Sequence, residues 1–183
     1  MYPITSRFNS HEHFRKAPHK GYDFAMEKGT QLKAVVDGEI QIIDYGNSMS
    51  GKTVIIKGTD GLTYMYGHLS EFKVKVGDFV KQGDLLGLSG NSGNVYGSNG
   101  GFHLDFRIRN EQGQFIDPAP YVEFIQNMNN PQYMNSLLAD TIQKGYEINL
   151  ENVMQQFSDG LSNINIFDEI KLNTISMLLR FLF

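Results

Sequence analysis

A series of short β-type runs between residues 30 and 90 is the strongest constraint on the fold of this chain. Runs of β-branched and aromatic residues alternate there with turn signals such as Asp37-Gly38. The runs are Gln31–Val36, Glu39–Asp44, Thr53–Lys57, Thr63–Leu69, Phe72–Val76 and Leu85–Gly90. Short strands at this spacing predict a mainly β fold, an antiparallel sandwich or barrel.

Further segments on both sides extend this β region. The stretch Pro3–Phe8 is compatible with a short strand, and Lys20–Met26 has the composition of another. The glycine-rich stretch Gly90–Gly101 predicts a long loop at the rim of a groove, because it offers no regular structure and no P-loop lysine. Asp117-Pro118 closes the region.

The stretch Gly101–Arg109, with the sequence GFHLDFRIR, predicts a strand with two different faces. Because side chains alternate along a strand, His103 and Asp105 share one face. The opposite face predicts contact with the core through Phe102, Leu104 and Phe106. A face with His and Asp suits a metal site, although a solvent-exposed polar face has the same pattern.

Beyond Pro120 the composition changes, and helical spacing replaces the strand pattern. The predicted helical segments are Tyr121–Met128, Ser136–Lys144 and Leu150–Phe157. We therefore divide the chain into a β domain, residues 1–120, and a helical C-terminal extension, residues 121–183. The last stretch, Ile166–Phe183, ends in LLRFLF. Such an apolar end is expected to pack on the β domain, to dock to another chain, or to contact sequence beyond this one.

Composition excludes several kinds of site. The formal net charge of −4 gives no indication of the positively charged surface that binds nucleic acid. The chain has no cysteine, which excludes disulfides and thiolate metal ligands. The N-terminal MYPITSRFNS has neither the basic lead nor the apolar segment of a signal peptide, and no apolar run has membrane-spanning length. We expect an extracellular or virion-associated protein without a classical signal, or a chain trimmed from a longer one.

Three separate segments carry side chains that bind metals or move protons. His19 and Asp23 lie four residues apart in HKGYD, so they share a face in extended chain. His68 lies at the end of a predicted strand in YMYGHL, and His103 and Asp105 lie in GFHLDFR. Taken singly, each has an ordinary structural explanation, as a packed histidine or a turn aspartate.

Taken together, these segments resemble the lysostaphin-type zinc endopeptidases. The order and spacing of HKGYDFAM, GLTYMYGHLS, KVGDFVKQGDLLGLSGNSG and GFHLDFR match that family from about Ile4 to Asp117. The resemblance implies the family's antiparallel β-sandwich (a barrel-sandwich hybrid with a duplicated hybrid motif). It also implies one Zn²⁺ per chain and hydrolysis of peptide cross-links in bacterial peptidoglycan.

The resemblance implies a role for each site residue. His19 and Asp23 match the first two zinc ligands. His103 matches the first histidine of the family's His-x-His strand, and we expect it to be the general base. His68 matches a histidine that activates water or stabilises the transition state. The third ligand of the family is the second histidine of that strand, and here the position is Asp105.

The replacement of histidine by Asp105 leaves three alternatives open. Aspartate binds zinc at similar bond length, but it is shorter than histidine and adds a negative charge. A cation held by one His and two Asp is formally neutral, and a less positive centre activates water less. Oxygen ligands also favour Mn²⁺ or Mg²⁺ relative to zinc. The site is therefore expected to be a slower zinc enzyme, an enzyme with another metal, or a binding site that has lost catalysis.

Three more residues are candidates for contact with substrate. Tyr66 is expected on the same strand face as His68, where it would either line the groove or pack against its neighbours. His11 and His13 lie in the loop before His19, from which either would reach the groove or else face solvent. Our leading hypothesis is a zinc endopeptidase, and a phage tail or virion is one setting that we consider for it. The alternative is an inactive module of the same fold that binds wall peptides or a partner protein.

Overall fold

Eleven strands and two α-helices form the part of the chain that the computed structural model describes, residues 1–13, 16–95 and 99–162. The strands are β1 (Ile4–Ser6), β2 (Tyr22–Ala25), β3 (Gln31–Lys33), β4 (Gly38–Asp44), β5 (Lys52–Gly58), β6 (Thr63–Gly67), β7 (Leu69–Phe72), β8 (Phe79–Val80), β9 (Leu85–Ser89), β10 (His103–Arg109) and β11 (Phe115–Ile116). The helices are α1 (Val122–Asn127) and α2 (Pro131–Ser162). The predicted mainly β, antiparallel architecture with a C-terminal helical extension is confirmed.

The strands form one large and one small antiparallel sheet. The large sheet has the order β1-β2-β10-β6-β5-β4-β8, and β11 pairs with β10. The small sheet has the order β3-β9-β7. Strand β10 pairs with β2 on one side and with β6 on the other. The predicted strand with His103 and Asp105 is therefore an interior strand, held in register from both sides.

The core forms on one face of the large sheet and against the small sheet. Leu104 and Phe106 are fully buried, as the alternation along β10 predicts. Phe102 was expected on the same face, but it precedes the first residue of β10, is only partly buried and lines the groove described below. Apolar residues of both sheets complete the core: Phe24, Leu32, Ile40, Val54, Ile56, Tyr64, Leu69, Leu86 and Ile108.

One predicted strand is wrong, because a turn takes its place. The run Phe72–Val76 was expected to be extended, but β7 ends at Phe72 and Val76 is exposed. Asp78 Oδ2 accepts a hydrogen bond from the backbone N–H of Lys75 at 2.8 Å, which closes the turn. Gly77 at its centre has φ +86°, a conformation that favours glycine. This side-chain-to-backbone bond competes successfully with strand pairing.

The compact unit that contains both sheets spans Met1–Met134. Helix α1 belongs to it, and its apolar residues Phe124 and Ile125 are buried together with the adjacent Met128. The predicted division of the chain at residue 120 stays a prediction.

The second unit begins at Asn135 and contains most of α2. The two helical segments predicted at Ser136–Lys144 and Leu150–Phe157 are parts of this one helix, which continues through Gly145. A glycine inside a helix costs about 1 kcal/mol, which a helix of this length accommodates. No helix in the described ranges is long and apolar enough to cross a membrane. The apolar end Ile166–Phe183 lies outside the described residues.

Candidate metal centre

His19, Asp23 and Asp105 converge at one buried point of the large sheet. Asp23 on β2 and Asp105 on β10 are directly opposed in the antiparallel register. His19 Nε2 lies 3.2 Å from Asp23 Oδ1 and 3.4 Å from Asp105 Oδ1. Potential ligand atoms of the three residues all lie within 4.8 Å of one another, and all three residues are buried. The sequence prediction that these residues come together is thus met by the geometry.

The charges at this point favour a cation. Like charges at directly opposed positions of neighbouring strands repel each other. Burial by itself raises the pKa of Asp105, but the hydrogen bonds and positive charge of the adjacent Arg107 side chain hold that pKa well below its usual range. Asp105 is therefore a carboxylate that only accepts hydrogen bonds or binds a cation. A divalent cation would relieve the repulsion between the two carboxylates.

The orientation of His19 is fixed by a relay of hydrogen bonds that runs from Glu12 through Ser6 to His19. The sequence analysis missed this relay. Ser6 Oγ donates a hydrogen bond to Glu12 Oε1 at 2.6 Å, and it lies 2.9 Å from His19 Nδ1. With the single Ser6 proton on the hydrogen bond to Glu12 and a neutral His19 ring, Nδ1 of His19 carries the proton that Ser6 accepts. The tautomer assigned from this network leaves a lone pair on His19 Nε2.

The lone pair on His19 Nε2 is evidence that the residues fit a metal. This atom is buried and makes no hydrogen bond with any residue that the structure describes. It faces oxygens of Asp23 and Asp105 at 3.2 and 3.4 Å, so three atoms that can each donate an electron pair to a metal converge at one point. One nitrogen and two carboxylate oxygens form a ligand set that zinc accepts.

Replacing Ser6 with alanine is expected to weaken zinc binding by about 10- to 100-fold, because a ligand histidine loses the partner that fixes its ring and tautomer. Competition with a chromophoric chelator measures the zinc Kd. Ser10→Ala is the matched control: Ser10 Oγ also donates to Glu12 Oε1, at 2.6 Å, but Ser10 contacts His19 through its backbone carbonyl, which the substitution retains. An unchanged Kd in Ser6→Ala would contradict the proposed relay.

His68 and His103 form a pair beside the three candidate ligands. Their ring centroids lie 4.5 Å apart. Nδ1 of His68 donates to the Ser92 carbonyl, and Nδ1 of His103 donates to the Gly101 carbonyl, each at 2.7 Å. Since carbonyl oxygens only accept, Nε2 of each neutral ring carries the lone pair. His103 Nε2 lies 3.9 Å from Asp23 Oδ1, and His68 Nε2 lies 3.9 Å from Asp105 Oδ2.

Burial and the nearby His103 ring lower the pKa of His68, which keeps its imidazole neutral at physiological pH. When both rings are neutral, each presents an unprotonated Nε2 to the same space, which is the arrangement that a general base requires.

His68 reaches this position through an unusual backbone conformation. Its φ is +66°, in the left-handed region that few residues other than glycine adopt, and it lies between β6 and β7. The alternation of β6 therefore stops at Gly67. Conformations of this kind persist where the surrounding structure enforces them, and they concentrate at functional sites.

The prediction that Tyr66 lines the groove is wrong for the same reason. Strand alternation was expected to place Tyr66 and His68 on one face, but the left-handed turn at His68 breaks that relation. Tyr66 is fully buried, its hydroxyl accepts a hydrogen bond from the Val35 N–H at 3.0 Å, and its ring packs edge-to-face on Phe106. Met65 points to the groove instead.

His13 is also misplaced by the sequence prediction. Both His13 and His11 are exposed, and neither is among the residues that line the groove. The expectation of substrate contact therefore gives way to the other alternative, two solvated loop histidines. The loop contributes Glu12 to the site instead, through Ser6.

Arg107 is a third residue that the sequence analysis missed. It shares a face of β10 with Asp105 and lies two residues further along the strand. Arg107 Nε donates to Asp105 Oδ1 at 2.9 Å, and one terminal nitrogen donates to Asp105 Oδ2. The same alternation that placed His103 beside Asp105 also placed Arg107 there, so the signal was present in GFHLDFR.

A groove of about 740 Å³ opens over these residues, a volume typical of ligand sites. Its walls are mixed in character. Apolar contacts come from Met65 and Phe102, while Lys16 and Arg109 contribute positive charge. The part of the glycine-rich loop that the structure describes adds Asn94 to the wall, as the prediction of a loop at the groove rim requires.

Comparison with known proteins finds a match to one protein family. The model of peptidase family M23 matches residues 17–118, a range that includes all five candidate site residues. The peptidoglycan DD-endopeptidase ShyA of Vibrio cholerae is 37% identical over 120 residues, which cover 59% of this chain and 27% of ShyA. This chain spans roughly a quarter of the length of the curated relatives it matches.

Solved structures with the same fold include isolated catalytic domains. The catalytic domain of lysostaphin from Staphylococcus simulans is 30% identical, with a TM-score of 0.57, covering 67% of this chain and 92% of that domain. The catalytic domain of a mutant of the prophage-encoded M23 protein EnpA from Enterococcus faecalis is also 30% identical. Its TM-score is 0.56, and the match covers 66% of this chain and 92% of that domain.

Proposed function

This chain belongs to peptidase family M23, and from that premise we propose that it is a zinc endopeptidase that cuts peptide cross-links of bacterial peptidoglycan. The observation that carries the proposal is the buried convergence of His19, Asp23 and Asp105 beside two histidines with free Nε2 lone pairs. The named activity of the relative ShyA supports the choice of peptidoglycan as substrate.

The candidate ligands would hold the cation, and the two other histidines would move protons. A divalent cation bound there supplies a Lewis acid that polarises the scissile carbonyl and the attacking water. His103 Nε2, whose ring is partly open to the groove, accepts the proton of that water. With its Nδ1–H committed to Ser92, His68 offers a donor at Nε2 only after it has gained a proton. The proton that His103 takes from the water would supply it, because the two rings lie 4.5 Å apart. Protonated His68 would then stabilise the oxyanion or return that proton to the leaving amine.

Replacing His103 with alanine is expected to lower kcat by about 10²- to 10⁴-fold, because a positioned base is lost while the three ligands remain. Zinc content should stay at one per chain. His11→Ala is the matched control, since that histidine is exposed and outside the groove. A His103→Ala variant with normal kcat would exclude His103 as the base.

Hydrolysis of purified cell walls tests the proposed function. We expect release of new amino groups from peptidoglycan by the protein with zinc, loss of release after chelation, and recovery when zinc or Mn²⁺ is returned. Mass spectrometry of the released peptides identifies the bond that is cut. No release and no bound metal under any of these conditions would overturn the proposal.

The alternative function is an inactive module that binds wall peptides or a partner protein. The observation that favours it is the engagement of both Asp105 oxygens by Arg107, which leaves fewer lone pairs for a metal. A wall pull-down in the presence of chelator separates the two. Binding without hydrolysis and without zinc would support the alternative.

The setting in which the protein acts is a further proposal. We infer that the protein is extracellular or virion-associated, with a phage tail as the proposed setting. Its C-terminal segment would dock to another chain. The prophage origin of EnpA, a relative of the same fold, supports this setting. Mass spectrometry of purified virions tests it, and absence of the protein from virions would count against the phage tail.

A further inference from the structure

We propose that Asp105 and Arg107 act as one unit at the metal centre, in which Arg107 positions Asp105 and keeps the occupied site positively charged. This inference rests on the proposed function, because it concerns the zinc that the site would hold. Arg107 acts through Asp105 and is therefore a positioning residue.

The geometry of the pair allows Asp105 to serve both partners. The Arg107 fork takes one lone pair on each Asp105 oxygen, Oδ1 through Nε and Oδ2 through a terminal nitrogen. Each carboxylate oxygen has a second acceptor site. Oδ1 still lies 3.4 Å from His19 Nε2, and Oδ2 lies 3.9 Å from His68 Nε2. The bidentate contact thus fixes the rotation of the carboxylate, while its oxygens still face His19 and His68.

The charges explain why such a partner is needed. As ligands of a cation, a neutral imidazole contributes no charge and two carboxylates contribute one negative charge each. The sum over a divalent cation and these three ligands is zero, and a neutral centre polarises a carbonyl weakly. The guanidinium of Arg107 restores one positive charge within direct contact of the site. The side chain of Asp105 is only 2% exposed, so water screens this interaction little.

The chain also reserves space for this side chain. Gly21, in the HKGYD segment, packs directly against Arg107. A Cβ at position 21 would lie 2.6 Å from Arg107 Cγ and 2.4 Å from the Phe106 carbonyl oxygen. Any larger residue there would displace the arginine or the strand. The guanidinium also lies 5.9 Å from the centre of the Phe115 ring, a cation–π distance.

Zinc affinity in arginine variants of the full chain tests the inference. Arg107→Gln removes the charge but keeps an amide N–H that can donate to Asp105, so we expect zinc to bind at least about tenfold more tightly, since one nearby repulsive charge is gone. The same variant should hydrolyse cell walls at least about tenfold more slowly, because the occupied centre becomes neutral. Arg107→Lys keeps the charge and is expected to stay within about threefold of the wild type in zinc Kd.

Arg109→Gln is the matched control. It removes the same charge from the same strand face two residues further on, where the guanidinium lies 4.3 Å from the centre of the Phe115 ring. Its zinc Kd should change less than about twofold. Circular dichroism checks that each variant is folded. If Arg107→Gln does not fold, Arg107→Met repeats the test with the aliphatic part of the side chain retained.

The outcomes separate this inference from the proposed function. Zinc binding by the wild type with an unchanged or weaker Kd in Arg107→Gln overturns the inference and leaves the zinc site in place. Zinc binding by Arg107→Gln but not by the wild type also overturns it, since the guanidinium would then take the place of the cation. No zinc in any variant overturns the proposed function, and the inference with it.

Discussion

Replacing His19 with alanine is expected to eliminate zinc binding and to lower wall hydrolysis by roughly three orders of magnitude, about 4 kcal/mol in transition-state stabilisation. His19 is the only nitrogen among the three candidate ligands, and two carboxylates alone hold zinc poorly. Elemental analysis of the purified protein gives the stoichiometry, and amino-group release gives the rate. Rescue with excess Mn²⁺, which prefers oxygen ligands, should exceed rescue with zinc.

Two comparisons make the His19 experiment decisive. His11→Ala removes an exposed histidine eight residues earlier and should retain one zinc per chain. His103→Ala should also retain the metal while losing activity, because His103 is placed as a base and not as a ligand. A His19→Ala variant that still holds one zinc would move the metal site away from this cluster.

Replacing Phe106 with alanine is expected to lower the free energy of unfolding by about 3–5 kcal/mol. Phe106 is fully buried on the interior strand β10, and its ring lies 5.1 Å from Tyr66, 6.5 Å from Tyr64 and 6.3 Å from Tyr121, measured between centroids. Removal of the ring leaves a cavity that three aromatic neighbours cannot fill without leaving their own contacts. Urea unfolding followed by fluorescence or circular dichroism measures the change.

The matched control for Phe106 is Phe79→Ala. Phe79 is 59% exposed on β8, so its loss should change the free energy of unfolding by less than about 1 kcal/mol. Because Phe106 separates Asp105 from Arg107 in the sequence, the zinc Kd of Phe106→Ala should rise as well. A Phe106→Ala variant as stable as Phe79→Ala would show that the sheet is not held by this aromatic cluster.

The strand pattern and the polar motifs were enough to predict the sheet and most of the candidate site. Alternation along GFHLDFRIR correctly placed Leu104 and Phe106 in the core. Family resemblance brought Asp105 together with His19 and Asp23, which lie more than 80 residues earlier in the chain. Only the sheet register makes Asp23 and Asp105 neighbours. Local pattern alone contains no information about that pairing.

The failures have local physical causes. Tyr66 was misplaced because the alternation of side chains holds only inside a strand. The strand ends before His68, whose left-handed φ the sequence does not predict because the residue is not a glycine. Phe72–Val76 was misassigned because an aspartate side chain closed a turn. Ser6 and Glu12 escaped notice because their role depends on how one loop folds back toward His19.

The opposition of Asp23 and Asp105 would link the lifetime of the protein to the zinc supply around it. Two buried carboxylates at facing positions repel each other, and a cation bound between them would lower the free energy of the folded state. Zinc at this centre would therefore act as a folding ligand, which at 100 times its Kd adds about 2.7 kcal/mol of stability. In a zinc-poor medium a larger fraction of the molecules would be unfolded and accessible to proteases. Metal scarcity would then remove the protein itself as well as its activity.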